Sequence, residues 1–88
     1  MTVVVVYGKP QCSLCDKAAA ILAHLRREFE FDVQYVDITA DAELFARYRE
    51  RIPVLMVDGR EIASLVVTTP ALRSALSRLA PASQTQPR

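Results

Sequence analysis

The chain has 88 residues, 51% of them hydrophobic and 24% charged, which provides for one hydrophobic core and excludes a multidomain machine. Eleven Lys and Arg against ten Asp and Glu give a net charge of +1, too even a balance to hold nucleic acid by counterion release. The longest apolar run, Val3 to Tyr7, is far short of a membrane span and lacks the basic flank of a signal peptide. A cytoplasmic protein with no nucleic acid and no membrane partner is expected.

Val3 to Tyr7 is β-branched, continuous and bounded by Gly8 and Pro10, the pattern of a central strand covered on both faces. From Cys12 onward, Cys15, Ala18, Ala19, Leu22, Leu25 and Phe29 recur at helical spacing, with Lys17, His24, Arg27 and Glu28 mostly elsewhere on the wheel. Val33 to Val36 reads as a second strand closed by Asp37, completing a β-α-β unit with a parallel pair. Asp41 caps a short helix with Leu44, Phe45 and Tyr48 on one face, stopped near Ile52 because proline disfavours helical geometry in the residue before it.

Val54 to Val57 is a third strand, and Asp58-Gly59 is a two-residue hairpin signal leading into Glu61-Ile62-Ala63. Thr69 as N-cap, Pro70 at the first helical position, and Leu72, Ala75, Leu76 and Leu79 at helical spacing predict a final helix. The polar, proline-bearing segment 81–88 is expected to be a frayed tail after a domain of residues 1–80. The fold class is therefore α/β, a four-stranded mixed sheet of order β-α-β-α-β-β-α with helices packed on it. Tyr7, Phe31, Tyr35, Phe45 and Tyr48 read most simply as core or strand packing, and Arg47, Arg49 and Arg51 as a solvated face.

Two cysteines, spaced Cys12-Ser13-Leu14-Cys15, are too few for the framework of a small secreted domain, and such a pair points to redox work or half a metal site. Cys12 in the first turn of a helix would lie near unpaired backbone N–H groups and the positive end of the helix dipole, which favour thiolate. C-x-x-C cysteines at helix N-termini titrate at roughly 3.5 to 7.5, against about 8.5 for a free thiol. Attack by Cys12 on a substrate disulfide would give a mixed disulfide, which Cys15, one turn on, could resolve. Lys9 favours the Cys12 thiolate and Asp16 opposes it, both screened by solvent.

Lys9-Pro10-Gln11-Cys12-Ser13-Leu14-Cys15-Asp16, Val36-Asp37-Ile38, and Tyr48 followed by Arg51-Ile52-Pro53-Val54-Leu55 resemble the glutaredoxin-like proteins of the thioredoxin-fold superfamily, in particular a small C-x-L-C branch. The resemblance implies a thiol-disulfide oxidoreductase with Cys12 as attacking thiol and Cys15 as resolving thiol. It also implies that Pro53 is a cis-proline, that the Ile52 backbone faces the cysteines to pair with an extended substrate, and that Lys9 meets a carboxylate of glutathione. Glutaredoxins usually carry a glycine pair and an acidic residue after the fourth strand, where this sequence has Ser64-Leu65-Val66-Val67-Thr68-Thr69, a departure that weighs against glutathione. The expected partner is a disulfide-bearing protein or a low-molecular-weight thiol, the expected state a monomer, and no cofactor or metal is required.

Two rival readings stay open. The pair could bind zinc, copper or an iron-sulfur cluster, although two cysteines and one histidine leave a four-coordinate metal short of a ligand, and His24 lies roughly 13 Å along the helix from Cys15. Small copper chaperones also place C-x-x-C after a first strand, but their order has no helix between the second and third strands. The other rival is a non-catalytic protein-binding module that retains the redoxin groove.

Overall fold

The computed structural model describes residues 2–82. Strand β1, Val3–Gly8, lies inside the sheet, parallel to β2, Asp32–Asp37, and antiparallel to β3, Val54–Val57. Strand β4, Arg60–Ser64, completes the order β2-β1-β3-β4. The Asp58-Gly59 turn joins β3 to β4 with both residues at positive φ, 52° and 78°, as a primed hairpin turn requires. A bulge between Leu55 and Met56 shifts the β3–β4 register.

Alternation along β1 and β3 divides the apolar side chains between two faces. Val4, Val6, Leu55 and Val57 join Ala18, Leu22 and Leu25 of helix α1, Ser13–Leu25, and Leu72 and Leu76 of helix α3, Thr69–Leu79, in the larger core. Tyr7, Val54 and Met56 belong to a smaller cluster with Ile38, Tyr48 and Ile52, beneath helix α2, Ala42–Tyr48. The architecture is a thioredoxin-like β-α-β-α-β-β-α fold with helices on both sides of a mixed sheet.

Several local expectations are corrected. Cys12 is the N-cap of α1 and not a residue of its first turn, and α1 ends at Leu25, so Phe29 lies beyond it in an isolated bridge with Ala82. A 3-10 helix, Ile38–Ala40, follows β2, because the Asp37 side chain accepts the Thr39 N–H at 2.9 Å and starts a turn directly. Helix α3 is capped by Thr68, one residue before the expected Thr69. Thr68 has extended backbone and its hydroxyl accepts the Ala71 N–H at 3.3 Å, which places Pro70 at the second helical position.

Phe31 and Tyr48 are buried, but Tyr35 is 60% exposed because β2 is an edge strand, and Phe45 is exposed on the outer side of α2. Pro81 and Ala82, expected in the frayed tail, are held: the Glu30 N–H donates to the Pro81 carbonyl at 2.8 Å beside the Phe29–Ala82 bridge. The rest of the expected tail, 83–88, lies outside the described residues. Among the described residues no helix is long and apolar enough to cross a membrane.

Candidate functional site

Gly8 ends the central strand β1, and Lys9 to Gln11 turn the chain into α1, with Gln11 in the left-handed region at φ 59°. Cys12 keeps extended backbone at φ −117°, so its sulfur takes the place of a capping oxygen and accepts the Cys15 N–H at 3.1 Å. Its carbonyl accepts the Asp16 N–H at 3.0 Å, the first backbone bond of the helix. Cys12 and Cys15 form a disulfide across a Cα separation of 5.2 Å, and both are partly buried. The capping contact places the Cys12 sulfur at the helix N-terminus with a backbone donor aimed at it.

The disulfide rests on the smaller apolar cluster. Both cysteines pack against the group formed by Ile38, Tyr48, Ile52 and Val54. The Ile52–Pro53 peptide bond is cis, Pro53 is fully buried, and Ile52 is nearly so. Among the described residues the Ile52 backbone N–H and carbonyl have no hydrogen-bond partner, while its neighbours do: the Leu65 N–H is shared by the Arg51 and Pro53 carbonyls at 3.1 and 3.0 Å. The structure thus brings Cys12, Cys15, Ile52 and Pro53 to one end of the sheet.

Lys9 flanks the disulfide. It is exposed and lines a cleft of about 230 Å³ with Gly8, Cys15, Asp16, Tyr35 and Asp37, on the β2 side of the disulfide. The Asp37 carboxyl there is held below its ordinary value by hydrogen bonds from the Thr39 hydroxyl and backbone N–H. Arg51 is partly buried and pairs with Glu61 of β4, whose carboxyl that hydrogen bond lowers. Arg47 lies over the Tyr48 ring at 5.9 Å and Arg49 over Phe45 at 5.6 Å, so the arginine cluster also packs on aromatic faces. His24 is exposed on α1 and 3.9 Å from Glu28. Among the described residues no three His, Cys, Asp or Glu side chains are grouped to hold a metal ion.

Three features of the site were not anticipated from the sequence. Tyr7 and Tyr48 stack, with ring centroids 4.8 Å apart, in the cluster that carries the disulfide. Leu65 adopts φ 62° where it meets the cis-proline segment, in a conformation rare for a branched side chain. Gly8 lies directly against Cys15. The first two depend on contacts between residues far apart in sequence. The third had a signal, since the chain has only two glycines and one of them stands four residues before Cys12.

These elements define a thioredoxin-fold protein with a C-x-x-C disulfide at a helix N-terminus beside a cis-proline. Residues 3–77 match the Glutaredoxin-like domain (DUF836), and the chain belongs to that family. The uncharacterized proteins Rv0508 of Mycobacterium tuberculosis and Mb0520 of Mycobacterium bovis are each 33% identical to it over 72 residues, 76% of this chain and 74% of theirs. Among solved structures, protein XcR50 from X. campestris is 34% identical with a TM-score of 0.75, covering 85% of this chain and 96% of that one. Protein Ne2328 from Nitrosomonas europaea is 25% identical with a TM-score of 0.74, over 84% and 89% of the two chains. Oxidised thioredoxin from Plasmodium falciparum, 18% identical over 90% of this chain and 81% of its own with a TM-score of 0.64, shares the fold.

Proposed function

We propose that this protein is a thiol-disulfide oxidoreductase that cycles between the Cys12–Cys15 disulfide and the dithiol. The observation that carries the reading is the Cys12 sulfur as N-cap of α1, bonded to the Cys15 N–H, in a cluster shared with Ile52. In the reduced form the helix N-terminus favours the Cys12 thiolate. That thiolate attacks one sulfur of a substrate disulfide, the substrate S–S bond breaks, and the leaving thiolate takes up a proton. The Cys15 thiol loses its proton and displaces the remaining substrate sulfur from Cys12. The substrate has gained two electrons and the protein has lost two, as a Cys12–Cys15 bond.

The N–H and carbonyl of Ile52, unpaired among the described residues, suit an extended substrate segment laid along them, in the manner of an added strand. A disulfide-bearing protein or a small thiol, met by a monomer in the cytoplasm, is the setting this reading supposes, and the same couple run in reverse would oxidise a substrate dithiol.

Trapping tests it. Cys15→Ser removes the resolving thiol and leaves Cys12 able to attack, so extracts expressing that variant should yield adducts on non-reducing gels that dithiothreitol releases, while Cys12→Ser should yield none. Adducts of equal yield from both variants would refute the assigned roles. Metal copurifying stoichiometrically with the wild type and lost from both variants would favour the metal-binding reading.

A further inference from the structure

Neither glycine of this chain is ornamental, and their reasons differ. Gly59 takes φ 78° in the hairpin turn, with open space where a Cβ would stand. Gly8 is not in the left-handed region. It is the last residue of β1, paired with Asp37 of β2, where a side chain would normally strengthen the strand. What crowds one is its neighbour: a Cβ built on Gly8 would lie 3.0 Å from the Cys15 Sγ and 3.4 Å from the Cys15 Cβ. The first contact is closer than a carbon and a sulfur tolerate without one of them moving.

We propose that Gly8 is a positioning residue for Cys15, leaving vacant the space its sulfur occupies when the disulfide closes. The inference rests on the resolving role proposed for Cys15. Its physical content is an asymmetry between the two redox states. In the disulfide, Cys15 Sγ is covalently tied to Cys12 and cannot rotate away from a methyl on residue 8. In the dithiol it can turn about χ1 to another staggered position. A methyl there penalises the closed form, and the bond-forming step that leads to it, more than the open form. Attack by Cys12 does not require Cys15 to enter that space, so it should proceed unhindered.

The test compares the full-length wild type with Gly8→Ala, both reduced and then mixed with a chromogenic aryl disulfide. Release of the first aryl thiol reports formation of the mixed disulfide at Cys12. Release of the second reports its displacement by Cys15. The first phase should be unchanged and the second slower by about tenfold, equivalent to ~1.4 kcal/mol in the barrier. In dithiothreitol redox buffers the closure constant should fall by a similar factor, raising the reduction potential by ~30 mV. A purely structural defect would not separate the two phases.

Melting temperatures in two backgrounds assign the cause. Gly8→Ala should cost the oxidised wild type more than it costs a Cys15→Ala protein, which lacks the sulfur. Should oxidised Gly8→Ala fail to fold, folding of Gly8→Ala/Cys15→Ala would support the inference, and failure of the double variant as well would overturn it. An unchanged second phase with an unchanged potential would also overturn it, as would equal melting losses in both backgrounds. A wild type with no second phase would refute the resolving role itself, and the potentials of the two proteins would still decide whether Gly8 makes room for the disulfide.

Discussion

The rings of Tyr7 and Tyr48 stack at 4.8 Å between centroids with 28° between planes, tying the end of β1 to the last turn of α2 beneath the cysteines. Tyr48 is buried and packs with Ile38, Ile52 and Val54 in the cluster on which Cys12 and Cys15 rest. Truncating it would remove a large buried surface and an aromatic pair together. Tyr48→Ala should destabilise the protein by about 3–5 kcal/mol, the range for large aromatic truncations in cores. Tyr48→Phe keeps the ring and should retain most of that. Urea unfolding of the two variants checks the expectation, and a small loss for Tyr48→Ala would mean that the disulfide cluster does not depend on the stack.

The cap of α3 gives a second, sharper comparison because two threonines stand side by side. The Thr68 hydroxyl accepts the Ala71 N–H, whereas Thr69 is already the first residue of the helix. Thr68→Ala should cost about 0.5–2 kcal/mol, the usual range for a lost N-cap, and Thr69→Ala clearly less. The reverse order in chemical denaturation would restore Thr69 as the cap.

That one-residue difference shows what the sequence could and could not disclose. The pattern of Val3 to Tyr7, the helical spacing from Cys15 to Leu25, and the Asp58-Gly59 turn each carry their own local physics, and the elements form accordingly. The cap of α3 was expected at Thr69, but Thr68 caps it, because the choice between two adjacent threonines falls to backbone geometry at Thr68. Phe29 kept the helical period but leaves the helix, because its place is set by the Ala82 strand bridge, a contact more than fifty residues away. At the site, the cysteine pair and proline were legible as types. The placement of Lys9 on the β2 side of the disulfide depends on how the turn before α1 runs, which no spacing rule describes.

Acid should weaken the fold through groups that gain from being charged in the native state. Glu28 accepts two hydrogen bonds from Arg73, at 2.8 and 2.9 Å, and its carboxyl is held below the ordinary value of 4.5 chiefly by that donation. Asp37 is held below 3.8 by Thr39. A carboxyl lowered in the folded state contributes stability that is present above its unfolded pKa and lost as pH falls through its folded pKa. Melting temperature should therefore drop as pH falls below the ordinary carboxylate range. Arg73→Gln should flatten part of that drop. Because Glu28 and Arg73 are solvated, salt should flatten it too, whereas the short hydrogen bonds at Asp37 should be less sensitive. An acid limb identical in Arg73→Gln and wild type would remove Glu28 from this account.

The choice of reductant should follow from the surface beside Ile52. Glutathione is a small, charged molecule, and holding it requires polar groups placed to meet its carboxylates and amine. The segment hydrogen-bonded to Arg51 and Pro53 offers instead Leu65, 44% exposed, and Val66, 73% exposed, and Leu14 between the cysteines is exposed as well. Lys9, the residue that would answer a glutathione carboxylate, lines the cleft on the β2 side with Cys15 and Asp37. Glutathione with its reductase should therefore turn over the oxidised protein slowly, while a dithiol of no net charge should reduce it readily, since it needs no charged grip and closes its own ring on leaving. Leu65→Gly/Val66→Gly should narrow the difference by removing the apolar rim and easing the left-handed backbone at Leu65. The measurement is NADPH consumption with glutathione reductase, set against direct reduction by dithiothreitol followed by quenched alkylation. Rapid glutathione-driven turnover of the wild type would show that Lys9 and the Ile52 backbone suffice to hold the tripeptide, and that the apolar rim does not exclude it.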